Sequence, residues 1–119
     1  MLKRSLIYIL ILTVLQACEQ KEPISLSSED FHASVDKLTE IMVHDIFSPP
    51  VASRIYVYPN IAAYEIIAAH SDAYNSLHGQ IDDLPKIEAS TNSDVNPELA
   101  ALIAHMDVGR MLILSLIHI

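Results

Sequence analysis

Glycine occurs twice in the 119 residues, tryptophan is absent and cysteine occurs once. All-β domains use glycine in their turns and β-branched or aromatic residues in their strands, so this composition disfavours a sandwich or barrel. A single cysteine excludes a disulfide framework within the chain. Positive charge is scarce as well: seven Lys and Arg against fifteen Asp and Glu give a net charge of -8. The broad basic surface that DNA or RNA binding requires is therefore missing, and no nucleic-acid partner is expected. No Gly-rich phosphate loop, nucleophile elbow or Cys-x-x-Cys pair occurs. What is plentiful is Ala, Leu and Ile within a 51% hydrophobic composition, in a chain long enough for one small domain. The expected fold class is all-α.

Lys3 and Arg4 precede an apolar run over residues 6–15, the basic-then-apolar order of an export signal. The run is too short to span a bilayer, which takes roughly 20 apolar residues at about 1.5 Å each. It closes on Leu15, Gln16, Ala17 and Cys18, which resembles the bacterial lipobox, where cleavage falls before the cysteine and its thiol carries diacylglycerol. The expectation is a lipoprotein signal peptide over residues 1–17 and lipidation at Cys18. The location would then be the bacterial cell envelope, at the outer membrane, with the membrane as partner through the lipid anchor. Two or three acyl chains anchor stably, each buried methylene contributing about 0.8 kcal/mol. Cleavage would leave five Lys and Arg against fifteen acidic residues.

Residues 18–27 read as a polar tether containing Pro23. Ser27 with Asp30 forms a capping pattern at the start of a helix whose stripe is Phe31, Val35, Leu38, Ile41 and Met42. His44 and Asp45 would end it. Pro49 and Pro50 open a second helix with Ser48 as its cap. Over residues 51–73 this helix is apolar nearly all round, with Arg54, Glu65, His70 and Asp72 expected to face water and Pro59 to introduce a kink. Residues 75–95, with Gly79, Pro85 and a Ser-Thr-Asn-Ser run, read as a long loop docked by Leu77, Ile81, Leu84 and Ile87. Asn96, Pro97 and Glu98 start a third helix, with Leu99, Leu102, Ile103 and Met106 expected as its buried stripe.

The chemical candidates are few. His44 beside Asp45, and His70 two residues before Asp72, are candidate His and carboxylate ligand pairs, but adjacent helical residues point about 100° apart and do not converge on a metal. Arg54 calls for a carboxylate partner, and Glu65, three turns on, is too distant along the helix, so the partner is expected on another segment, either Asp45 or a carboxylate of the missing part. His32, His78 and His105 stand alone and read as surface or packing residues. A helix apolar on all sides, with two short companions, leaves apolar surface that so small a domain cannot cover. Residues 114–119, Leu-Ser-Leu-Ile-His-Ile, also match a translated transposase mosaic end and read as sequencing-adaptor residues. Both features lead to the expectation that the chain is part of a longer one, with its carboxy-terminal half missing.

The segment Met-Val-His-Asp-Ile-Phe-Ser-Pro-Pro-Val-Ala-Ser-Arg-Ile-Tyr from Met42 to Tyr56, followed by Ala-Ala-Tyr-Glu ending at Glu65, resembles the amino-terminal region of bacterial vanadium-dependent haloperoxidases. It is equally similar to their type 2 phosphatidic acid phosphatase relatives, the lipoprotein members above all. The resemblance covers roughly residues 28–112, and the amino-terminal helical part it implies is set at residues 28–113. It implies a partial helical bundle, about three helices of a larger α-helical domain, in which vanadate or phosphate is held by Lys, Arg, Ser and Gly donors and a histidine ligates vanadium or attacks phosphorus. The motifs that carry this chemistry are a Lys with a downstream Arg-Pro, a Ser-Gly-His, and a Ser-Arg followed by His. None occurs in this chain, so no catalytic, cofactor-binding or metal residue is assigned to it, and vanadate is a cofactor of the parent enzyme alone. The alternative reading is a small helical lipoprotein with a binding or structural role. The address is testable directly: Cys18→Ser abolishes acylation, and unchanged partitioning of that variant into a detergent phase would exclude the lipobox.

Overall fold

The computed structural model describes residues 24–92 and 94–117. The expected signal peptide, the expected lipidation site Cys18 and most of the expected tether lie outside the described residues. Three helices are present, α1 (Ser28–His44), α2 (Pro49–Ala69) and α3 (Pro97–Ile117), and the described residues form no strand. The fold is all-α, as composition required.

Local chemistry explains where each helix begins and ends. Ser27 caps α1: its backbone N–H and hydroxyl donate to Asp30 Oδ2 at 2.8 and 2.9 Å, and its Oγ accepts from the Asp30 N–H. Asn96 caps α3, its Oδ1 accepting the Leu99 N–H at 3.0 Å while its amide donates to the Ile24 carbonyl at 2.8 Å. That second bond ties Ile24, near the end of the expected tether, to the start of α3. Ser48 occupies the cap position of α2 without a side-chain bond, and only its carbonyl serves, accepting from Val51 and Ala52. The α2 helix also ends earlier than its apolar pattern suggested. The His70 ring Nδ1 bonds the Ile66 carbonyl at 2.8 Å and its N–H turns back to Ile67, satisfying the last turn so that Ser71 and Asp72 begin the loop.

Between α1 and α2 the chain makes a Schellman motif, with Phe47 N–H to Met42 O and Ile46 N–H to Val43 O. Phe47 then folds back onto the core cluster formed by Leu38, Met42, Ile55 and Ile113. The position that normally holds glycine in this motif is Ile46, at φ 54° and 88% exposed.

The α2–α3 pairing is the most extensive. Ile55 and Ile113 share the core at one end of it, and Ala63 and Ala101 face the same cleft at the other, so α3 runs antiparallel to α2. Leu38 beside Gly109, and Phe31 beside His105, set α1 parallel to α3. A Cβ at Gly109 would lie 2.7 Å from a Leu38 methyl, so any larger residue there would require the Leu38 side chain to shift. The α1 stripe is as the sequence indicates. The α3 stripe is not: Ile103 and Met106 are exposed, whereas Ala101, His105, Gly109 and Ile113, spaced by four, face inward. Small residues on that face admit the neighbouring backbones, and close packing selects it over the bulkier one.

Ile46→Gly removes a left-handed strain that costs a β-branched residue about 1–2 kcal/mol and surrenders almost no burial. Chemical denaturation is expected to show a gain of roughly 0.5–1 kcal/mol, after the greater chain entropy of glycine is offset. A loss of stability would contradict the motif.

Candidate functional site

Most candidates found in the sequence resolve into structural contacts. His44 Nδ1 meets Asp45 Oδ1 at 2.8 Å on the exposed end of α1. Arg54 is exposed and makes no ion pair among the described residues, so the expected Arg54–Asp45 pair is not formed. The physical reason is that water solvates the exposed guanidinium where it stands. His70 is used at both ring nitrogens, its Nε2 accepting the Ser90 N–H at 3.1 Å. This fixes the ring proton on Nδ1 and ties the far part of the loop to the end of α2.

Glu65 reverses the expectation that it faces water. It is 2% exposed, and its carboxyl accepts from Ser76 Oγ at 2.6 Å and from the Leu77 N–H at 2.7 Å. Around that clamp the loop folds onto itself. Ser76 Oγ accepts the His78 N–H, the Gln80 amide donates to the Ser76 carbonyl at 2.9 Å, and the His78 ring bonds the Leu84 carbonyl at 2.7 Å. Gly79, at φ 80°, sits within the turn closed by Gln80 N–H to Leu77 O, where a left-handed residue is needed. Of the four expected docking residues, Leu77 and Leu84 are half-buried, while Ile81 and Ile87 remain exposed. Polar contacts therefore do most of the anchoring.

His105 is fully buried, its ring centre 4.8 Å from that of Phe31 with the two planes tilted at 54°, with Nδ1 3.1 Å from Ser34 Oγ and no partner for Nε2. Burial pulls its pKa below the ordinary 6.5 by penalising the imidazolium.

Among the described residues cationic groups do not gather. Lys37, Lys86 and Arg110 are exposed and each meets a neighbouring carboxylate, of Glu40, Glu88 and Asp107. Vanadate needs several buried cationic and amide donors converging on one point, and this donor set does not fit it. Among the described residues no cluster of three or more His, Cys, Asp or Glu could hold a metal ion. Two apolar hollows flank α2. One, of about 610 Å³, opens between the first turns of α1 and α3 and the middle of α2. The other, of about 470 Å³, lies between α2, α3 and the loop at Asp82 and Asp83. Sequence reasoning missed the first because it is assembled from four separate segments. No helix among the described residues is long and apolar enough to cross a membrane. No family model, curated protein or solved structure matches the chain.

The depressed His105 pKa fixes a pH dependence. The unfolded chain takes up this proton near pH 6.5 while the folded chain resists it, so stability is lost as pH falls below about 6.5 and levels off beneath the folded pKa. Thermal melts between pH 7.5 and 5 are expected to show this fall, and His105→Leu to flatten it. An identical pH dependence in both proteins would contradict the assignment.

Proposed function

We propose that this chain is the amino-terminal helical part of an exported, lipid-anchored enzyme resembling the vanadium-dependent haloperoxidases and their phosphatase relatives. It scaffolds a site whose oxyanion-binding residues belong to further sequence. The observation that carries this reading is the outer face of α3. Ile103, Met106 and Met111 are 50%, 55% and 66% exposed, and at about 100° per residue they fall within one arc of roughly 140°, which the exposed Asp107–Arg110 pair shares with them. A helix with apolar residues on its outer as well as its inner face belongs inside a larger bundle. The Ser-Pro-Pro-Val-Ala-Ser-Arg-Ile-Tyr segment that bears the resemblance occupies the start of α2, where Ile55, Val51 and Ala52 join the core cluster with Leu38 and Met42 of α1, consistent with a scaffolding role.

On this reading the chain has no chemistry of its own. Its part is to present the apolar α2 and α3 surfaces against which the catalytic helices pack. When bound in the complete enzyme, vanadate would supply peroxide activation for halide oxidation, whereas phosphate in the same pocket would be a hydrolysis substrate. The membrane attachment would come from Cys18.

Two measurements test the proposal together. Isothermal titration of this chain with orthovanadate is expected to give no saturable binding, and the complete reading frame is expected to oxidise halide with peroxide or to release phosphate. Micromolar vanadate binding by this chain would move the site into the wrong half of the molecule. A reading frame without the Ser-Gly-His and Arg-Pro elements would replace the proposal with a small helical lipoprotein.

A further inference from the structure

The hollow between the first turns of α1 and α3 has a composition that the scaffolding role does not require. Three aromatic rings, those of Phe31, Tyr64 and Tyr74, share it with two carboxyl groups, of Asp30 and Glu98. No Lys, Arg or His is among its lining residues. Tyr64 and Tyr74 stand edge to face, their ring centres 6.2 Å apart at 74°, so together they offer two walls of a corner. Tyr64 is held in place by its hydroxyl, which donates to the Asn75 carbonyl at 2.8 Å.

Both carboxyl groups have capacity to spare. Asp30 uses only Oδ2 for the two Ser27 donors, and those bonds hold its carboxyl below the usual range, so it is charged at neutral pH. Glu98 is exposed and has no hydrogen-bond or ion-pair partner among the described residues. Aromatic faces carry negative electrostatic potential and bind cations whose charge is spread over methyl or methylene groups. Two unneutralised carboxylates at the rim add attraction of the same sign, and a volume of about 610 Å³ suits a small organic molecule.

From this juxtaposition we infer that the hollow is a binding site for an organic cation, a quaternary or alkylated ammonium group whose methyls seat against Tyr64 and Tyr74 and whose charge faces Asp30 and Glu98. A bare metal ion is disfavoured, because the walls are aromatic and aliphatic rather than oxygen-rich. A zwitterionic lipid headgroup is disfavoured too, since its phosphate would meet carboxylates with no cation to receive it. The inference is independent of the haloperoxidase-like reading, and it concerns a face other than the outer arc of α3.

The test is titration of the full chain with choline, followed by calorimetry and by the Tyr64 and Tyr74 ring resonances. The controls are the uncharged carbon isostere of choline, in which a tert-butyl group replaces the trimethylammonium, and glycerophosphocholine. Choline is expected to bind saturably and to shift both tyrosines, and each control to bind at least about tenfold more weakly. Glu98→Gln and Tyr74→Leu, both at exposed positions, are each expected to weaken choline at least about tenfold with unchanged amide spectra elsewhere. Equal affinity for the carbon isostere, unchanged binding in both variants, or no saturable binding would overturn the inference. Equal affinity for glycerophosphocholine would overturn it in favour of a lipid headgroup.

Discussion

A carboxyl group moved out of water must recover its hydrogen bonds inside the protein, and in this chain the Glu65 carboxyl recovers them from the loop that joins α2 to α3. Ser76 and Leu77 supply the donors. Leaving such a group buried without them costs more than a well-made neutral bond returns, so the requirement acts in one direction: once Glu65 lies between the helices, the loop must come to it. The rest of the segment follows from that anchor, through the His78 and Gln80 bonds and the turn at Gly79. A connection over residues 70–96, long for so small a bundle, thereby acquires a defined path without a hydrophobic core of its own.

The helices meet by a different economy. Where α3 faces its neighbours it presents Ala101, His105, Gly109 and Ile113, and where it faces outward it presents Ile103, Met106 and Met111. Inward small residues let α1 approach at Leu38 and leave room for the His105 ring against Phe31. The larger apolar side chains are left at the surface. This inversion is what connects packing to the proposed role. Exposing an apolar arc makes physical sense when another part of a larger bundle covers it, and it would be costly in solubility for a domain that functions bare.

The features that were legible in the sequence are those decided within one turn of chain. The Ser27–Asp30 capping box, the Asn96 cap and the paired prolines at the start of α2 depend on neighbours three or four residues away, and the structure contains each of them. The α1 stripe was also readable, because its polar and apolar residues separate cleanly. In α3 nearly every face is apolar, so periodicity carried little information and pointed to Leu99, Leu102, Ile103 and Met106 rather than to the face that packs. Glu65 was misplaced for a related reason. Its partners lie eleven and twelve residues on, beyond the reach of helical periodicity, and only the return path of the loop reveals them. The aromatic corner of Tyr64 and Tyr74 was equally hidden, since one ring belongs to a helix and the other to the loop.

The Glu65 clamp is the point on which this account can be tested most directly. Native-state hydrogen exchange should be compared between the wild-type chain and Glu65→Leu, which keeps an apolar volume and removes both acceptors. The amides of Leu77, Gln80 and Ile81 are expected to lose about tenfold or more of their protection, equivalent to roughly 1.4 kcal/mol of local opening, while those of Leu38 and Met42 in α1 keep theirs. Undiminished protection at Leu77 and its neighbours would contradict the claim that a buried carboxyl organises the loop.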